Sequence, residues 1–480
     1  MYVIRLRTRS CKLLRDFEVS FVNDDGSPRM WTVFVGENGL CKTTLLRALG
    51  MTAVGRDFSN NLVSDAPSFL DKRAPERRTR IRAEFALSSR HHLDRRYPDR
   101  HEDAGELRTA TPPLVYSAIG IDPPGNSLQG GSQYRVLAAD VVPSVGEPRT
   151  DKELEDYWGM SPADAEETYW GVDTAFDVIG EIRQQNLPLW FAAGYGIGRV
   201  LTRPLSAMDD VPARDRMKSL FDPGYLPIGT GFADHFALTV SESRSRAFST
   251  LLREALIDRI ALPRVEGIEL RGQTGASNTR RLIESHRFVM RVGRTDLRLP
   301  AIWLSQGYQA IISLVADIIG HVWLEAGNEI ELDDMEGLVL VDELDLHLHP
   351  TWQTTIVSGL RRAFPRMQFV VTTHSPMILA GCARNEVWIL RQDAATGDVA
   401  AEPAPVAPAL LTAAELYRDF FALARGMSSA LGLKLQRYTS IASNPLRSDE
   451  EDAELDTLRS ELERHLVEVD YQPVARRTVP

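Results

Sequence analysis

Gly36-Glu37-Asn38-Gly39-Leu40-Cys41-Lys42-Thr43-Thr44 follows the apolar, β-prone run Trp31 to Val35 and leads into Leu45, Leu46 and Leu49 at helical spacing. A strand, a glycine-containing loop and a helix opening on Lys-Thr have the layout of an anion cradle. The loop N–H groups and the positive end of the helix face one point. In such a cradle the lysine reaches the β- and γ-phosphates of a nucleotide, and the threonine hydroxyl meets Mg2+. The pattern G-x-x-x-x-G-K-[ST] is met at every fixed position but one, because Cys41 stands where the last glycine belongs. If the backbone there needs glycine-like dihedrals, a side chain costs about 1–3 kcal/mol. A thiol beside Lys42 at a helix start invites a redox reading, and a tolerated variant is the simpler one. The candidate ATP-binding residues are therefore Gly36, Asn38, Gly39, Cys41, Lys42, Thr43 and Thr44.

Supporting motifs lie far downstream. Gly337-Leu338-Val339-Leu340-Val341-Asp342-Glu343 is an apolar run, long enough for a buried parallel strand, that ends in two carboxylates. Asp342 is placed to hold Mg2+ opposite Thr43, and Glu343 to act as base or water-positioner at the γ-phosphate. A second buried strand, Met367 to Thr373, ends at His374-Ser375-Pro376, where the imidazole is positioned to sense the γ-phosphate. Leu304-Ser305-Gln306-Gly307-Tyr308-Gln309 opens a helix, and a serine and glycine at a helix start present N–H groups and a hydroxyl to an anion. A chain that already has one phosphate loop has use for a second anion site if it completes a neighbour's. Two subunits, head to tail with ATP between them, follow from that reasoning.

The 480 residues exceed one ordinary domain, so two lobes or a domain with a large insertion are expected. An apolar share of 43% and a charged share of 25% suit a soluble globular protein. No apolar run reaches about 18 residues, so no membrane span is expected. Three widely separated cysteines suggest neither a disulfide framework nor zinc, and the cytoplasm is the simplest compartment. The net charge of −11 opposes a protein coated in nucleic acid but leaves room for local basic patches. The candidates are Lys72 to His101 and Arg280 to Arg298, with acid-paired solvated faces as the plainer reading.

In chain order, Tyr2 to Thr8 and Leu14 to Val22 read as strands, and Arg78 to Ser88 as a half-exposed antiparallel strand. Pro112-Pro113, Pro123-Pro124 and Gly130-Gly131 mark loops, and Leu187 to Ala193 looks extended. Gly194-Tyr195-Gly196-Ile197-Gly198-Arg199 is too weak a glycine pattern to be a second nucleotide site. Ser245 to Ile260 is an amphipathic helix. Near the end, Leu411-Thr412-Ala413-Ala414-Glu415 is a capping box, and Asp449 to Val469 a second helix with Leu455, Leu458, Leu462 and Leu466 on one face.

Taken together, GENGLCKTT, LSQGYQ, GLVLVDE, HLHP and TTHSP resemble the ATP-binding-cassette type of P-loop ATPase, in its RecF/SMC/OLD-like branch. The form DE-x-x-x-HLHP is similar to the OLD-type and phage-defence ATPases, the Septu kind among them. The resemblance implies an α/β P-loop fold with a mixed or antiparallel lobe, a large insertion and a small helical end-piece. It also implies a Walker A loop at Gly36–Thr44, a signature at Ser305, Gly307 and Gln309 acting in trans, Walker B carboxylates at Asp342 and Glu343, and a switch histidine at His374. Gln129, Gln133 and Gln185 are the candidates for the family's Q-loop glutamine. Asp345, His347 and His349 could be read as metal ligands, but a turn shaping an interface is the preferred reading. The implied organisation is 1–88 and 296–400 for the ATPase head, 89–295 for the insertion and 401–480 for the helical region. The last region lacks the Asp-x-Asp pair of a TOPRIM nuclease, so an effector is expected to be a separate protein. The implied function is an ATPase that controls such an effector, a nuclease for example, in anti-phage defence, as a homodimer or higher oligomer. The alternatives are a RecF-like ATPase binding DNA directly and a nucleotide-dependent scaffold with little turnover.

Overall fold

The computed structural model describes residues 1–86, 114–121, 123, 128–135, 179, 191–201, 216–270, 286–326, 329–421, 430–445 and 447–464. The chain divides into two compact units, Met1–Leu416 and Tyr417–Pro480.

The first unit is built on a six-stranded sheet in the order β14-β13-β3-β12-β11-β7. These strands are β3 (Trp31–Val35), β7 (Ala192–Tyr195), β11 (Glu336–Val341), β12 (Arg366–Thr372), β13 (Val387–Gln392) and β14 (Val399–Pro403). All pairs are parallel except β13 with β14. Every residue of β3 and β11 is buried, the signature of parallel strands covered on both faces. Neighbouring β3 and β12 lock their register through Trp31 and Phe369, whose rings stack at 4.6 Å.

A five-stranded antiparallel sheet, β2-β1-β4-β5-β6, packs beside it. It contains β1 (Tyr2–Cys11), β2 (Leu14–Ser20), β4 (Thr79–Ala86), β5 (Leu114–Ile121) and β6 (Leu128–Arg135). The two sheets are joined by the buried amide of Gln368. Its Oε1 accepts from the Val3 N–H at 2.7 Å, and its Nε2 donates to the carbonyls of Val3 at 3.0 Å and Arg29 at 2.9 Å. Two expectations are corrected here. β4 is not half-exposed but mostly buried, Arg82 and Glu84 included, because it lies between β1 and β5 with a helix against it. Gly130-Gly131 lies inside β6 rather than in a loop.

The helices α1 (Lys42–Val54), α2 (Arg56–Leu62), α3 (Lys218–Phe221), α4 (Gly231–Thr239) and α5 (Glu242–Arg253) come before the downstream motifs. α5 runs on into a π-helical turn, Glu254–Arg259, and buries Phe248, Leu252 and Leu256 as the amphipathic pattern expects. A small sheet follows, β10-β9-β8, made of β8 (Val265–Leu270), β9 (His286–Val292) and β10 (Thr295–Pro300). Next come α6 (Gln306–Ala326), α7 (Pro350–Ala363) and α8 (Pro376–Leu379). With 21 residues, α6 has the length and apolarity of a bilayer span, which the sequence reading did not find. Yet most of it is buried inside the protein, so α6 is a core helix.

The helix α9 (Ala413–Phe420) starts with the expected box: the Thr412 N–H donates to Glu415 Oε2 at 2.8 Å. In the second unit, α10 (Ala430–Ala442) and α11 (Asp449–Arg464) enclose Tyr438, Ile441, Ala442, Leu455, Leu458 and Leu462. Leu466 lies outside the described residues.

Candidate functional site

Parallel pairing brings three chain segments, far apart in sequence, to one edge of the main sheet. The loop after β3, the carboxylates after β11 and His374 after β12 leave the carboxyl ends of adjacent strands, where open α/β sheets bind ligands.

The loop itself needs left-handed backbone. Gly36, Gly39 and Cys41 have φ of 152°, 85° and 61°, and a Cβ at Gly36 would come within 2.9 Å of the Leu390 carbonyl. Cys41, at φ 61° and ψ 21°, is the N-cap of α1, so a cysteine occupies the conformation that glycine adopts without strain. Glu37, Asn38 and Gly39 are exposed, whereas Lys42 and Thr44 are buried. Lys42 Nζ donates to the carbonyls of Gly36 at 2.7 Å and Glu37 at 2.8 Å. Burial brings its pKa down to about 8, and Asp342, Glu343, Asp345 and Glu37 oppose that shift.

The carboxylate pair is tied to this loop. Thr43 Oγ1 donates to Asp342 Oδ2 at 2.8 Å, and Thr372 Oγ1 donates to Asp342 Oδ1 at 2.6 Å. The same Thr372 hydroxyl accepts the Glu343 N–H at 2.8 Å. Glu343 has a positive φ of 47°, a strain of about 1–3 kcal/mol for a side-chain-bearing residue and one that gathers at functional sites. His374 is partly buried, and its pKa is lowered first by burial and then by the charge of Lys42. Its N–H donates to Asp345 Oδ1 at 3.1 Å, and Thr373 Oγ1 donates to the same oxygen at 2.6 Å. Asp345 thus serves the turn that carries His374. His349 is the N-cap of α7, accepting from the Thr351 N–H, while His347 is exposed at φ 66°.

Ser305 is exposed immediately before α6. Gly307 is buried so tightly that a Cβ would meet the His347 carbonyl at 2.5 Å, which explains why this position takes no side chain. Gln309 Nε2 donates to the Leu304 carbonyl at 2.7 Å and to that of Ile302 at 3.3 Å, so its amide braces the approach to the helix. Its bonds go to that approach, not to the phosphate loop. The Tyr308 ring meets Trp352 edge-on at 4.2 Å, fastening α6 to α7.

Three residues were missed or left without a role by sequence reasoning. Lys12, in the β1–β2 turn, donates from Nζ to Thr44 Oγ1 at 3.2 Å and adds a second cation beside the loop. Its only signal was a basic residue in a hairpin. Thr372 reads in sequence as one more β-branched strand residue. Arg199 ends the glycine-spaced segment, where close packing explains the glycines: a Cβ at Gly194, Gly196 or Gly198 would lie 2.2, 2.3 or 2.7 Å from Met217, Ser219 or Pro223. Of the Q-loop candidates, Gln129 and Gln133 sit on β6, and Gln185 is outside the described residues.

The basic segments are partly self-paired. Arg73 meets Asp71 and Asp398, Arg291 meets Asp296 and Arg298 meets Glu269. Residues 87–101 and 280–285 lie outside the described set.

The Septu protein PtuA of Bacillus mycoides is 23% identical over 464 residues, covering 97% of this chain and 51% of its own length. The Retron Ec83 probable ATPase of Escherichia coli is 40% identical over 100 residues, 21% of this chain and 18% of that protein. The chain thus spans about half the length of the first relative and less of the second. Among solved structures, an SMC head bound to the C-winged helix domain of ScpA aligns with a TM-score of 0.45 at 12% identity, over 84% of this chain and 98% of that one. The family model described as "AAA domain, putative AbiEii toxin, Type IV TA system" matches residues 31–380, more than half of the 480 residues, and the chain belongs to that family of P-loop ATPases.

Proposed function

We propose that the protein binds ATP with Mg2+, hydrolyses it, and uses the cycle to close and open a head-to-tail dimer in the cytoplasm. That dimer controls a separate effector, a nuclease by preference, in prokaryotic anti-phage defence. The observation that carries the proposal is the bonded set Thr43–Asp342–Thr372–Glu343, which joins the phosphate loop to a carboxylate pair at one sheet edge. The Septu and retron names of the relatives support the defence setting.

The residues fit the expected ligands. The facing oxygens of Thr43 and Asp342 are hard donors of the type Mg2+ takes. When bound with the nucleotide, Mg2+ neutralises charge developing on the phosphates. Lys42 exchanges the carbonyls of Gly36 and Glu37 for β- and γ-phosphate oxygens, and Lys12 adds positive charge next to Thr44. Asp342 is kept in place by Thr372, and the Glu343 carboxylate orients the attacking water and takes its proton. His374 lies against the γ-phosphate and reports its presence. The exposed Ser305 of a second copy, at the N-terminus of α6, completes the phosphate shell.

Glu343→Gln keeps the shape and removes the base. ATP turnover is expected to fall about 10²–10⁴-fold, while sedimentation in ATP and Mg2+ shows a persistent dimer. Unchanged turnover would remove Glu343 from catalysis, and a monomer at saturating ATP would sink the sandwich.

A further inference from the structure

We infer that Arg199 is a positioning residue for Glu343: its guanidinium sets the main-chain conformation from which the Glu343 carboxylate meets the attacking water. The inference rests on the hydrolytic reading and names a group that reading does not include.

Arg199 is buried, yet its bonds go to main-chain carbonyls. Nη1 donates to Gly196 at 2.6 Å and to Asp342 at 2.5 Å, and Nη2 donates to Glu343 at 2.7 Å. Consecutive carbonyls of an extended strand point to opposite sides, so two of them can meet one planar fork only where the chain turns sharply. It turns at Glu343, whose φ is 47°. On the other side the Glu343 N–H is held by Thr372 and the Asp342 N–H by the Tyr195 carbonyl at 2.8 Å. The two carboxylate residues are thereby fixed at both N–H groups and both carbonyls. The turn is closed further by the Leu346 N–H, which donates to the Glu343 carbonyl at 2.9 Å, and by the Leu344 N–H, which donates to the Thr372 carbonyl at 2.9 Å, but Arg199 is the side chain that joins the carbonyls of Asp342 and Glu343.

The positive charge also has a cause. Burial lowers the pKa of Arg199 to about 10, and Asp342, Asp345 and Glu343 act against that, so the guanidinium stays charged at neutral pH and balances the acidic cluster. A lysine keeps the charge but not the two-pronged, in-plane donation. The segment carrying Arg199 is tied to the helix behind Ser305 as well: Tyr195 Oη donates to Asp317 Oδ2 on α6 at 3.0 Å. Arg199 therefore stands where the helix that faces the second copy and the hydrolytic carboxylate share one support.

The test uses the full chain with Arg199→Lys, and Arg199→Gln as a second variant should the first not fold by circular dichroism. Arg199→Lys is expected to lower kcat about 10²-fold with KM within about threefold. Placed on Glu343→Gln, it should lower the residual rate no further, because the group it positions is gone. Hydrogen exchange should rise in the peptide spanning residues 341–346 and stay unchanged in β3 and β12. Wild-type kcat in Arg199→Lys, an equal further loss on Glu343→Gln, a loss confined to KM, or unchanged exchange at 341–346 would each overturn the inference. A wild-type chain that binds ATP without turnover would overturn the hydrolytic reading instead, and the exchange data would then decide the geometric role of Arg199.

Discussion

The phosphate loop and the start of α6 both open a helix, but they differ in what the chain closes around them. Around the loop, Lys42, Thr43 and Asp342 already bond to one another's surroundings, and Arg199 and Thr372 brace the carboxylates from behind. At α6 the bracing is equally complete on the inner side, through Gly307 against His347 and Gln309 against Leu304, yet Ser305 itself is exposed. Under the proposed function the loop and its carboxylates form one part of a site within the chain, and the exposed Ser305 is proposed to complete the site of a second copy.

The largest effect should come from Glu343→Gln, which strikes the closed half at its chemistry and costs about 10²–10⁴-fold in turnover. Ser305→Arg strikes the open half. It should cost about 10²–10³-fold in kcat, as loss of a transition-state donor does, while a single chain still binds ATP normally. The comparison can be broken by mixing. A Lys42→Ala chain and a Ser305→Arg chain, each of low activity alone, should together recover up to about a quarter of wild-type activity in an equal mixture, because half of the dimers are then mixed and each of those holds one intact shared site. No recovery on mixing would mean that each chain carries its whole site.

Lys42→Ala alone removes a charge-assisted contact and should weaken ATP binding about 10–100-fold by equilibrium titration. Acidity offers a finer probe of the same residue. With its pKa at about 8, Lys42 is charged below that value and loses its proton above it. ATP affinity should therefore be level at lower pH and fall by up to about tenfold per unit above the lysine pKa. Lys42→Arg should hold the affinity level there, since guanidinium remains charged. The smallest effect belongs to Cys41→Gly. Relief of the left-handed cysteine, offset by a looser unfolded chain, should raise stability by about 1 kcal/mol and the melting temperature by about 1–2 °C. A lower melting temperature would mean that the thiol makes contacts worth more than the strain.

Local pattern was enough to find the elements that matter most. The apolar β3 and β11, the Lys-Thr start of α1, the Asp-Glu pair and the capping box at Thr412 are each written within a few consecutive residues, where period and turn chemistry act directly. The burial of β4 was not legible, because its arginines and glutamate alternate like those of an exposed strand. Only its place between two neighbours and a helix buries them. The β6 strand was hidden for a similar reason: a Gly-Gly pair weakens any local strand signal, and the pairing with β5 supplies what propensity lacks.

By itself, then, the sequence determined the nucleotide loop, the carboxylate pair after β11, the histidine after β12 and the unusual cysteine, since each depends on neighbours along the chain. Tertiary structure alone decided that Lys12 stands over Thr44, that Thr372 joins Asp342 to Glu343, and that Arg199 grips both carboxylate residues by their carbonyls. Those contacts cross from 29 to 144 positions of sequence, and those of Thr372 with Glu343 and of Arg199 use backbone atoms, which carry no residue identity to read. The contacts of Thr372 and Arg199 exist because parallel pairing of β3, β12, β11 and β7 brings four strand ends to one edge, and Lys12 reaches Thr44 from the β1–β2 turn of the antiparallel sheet.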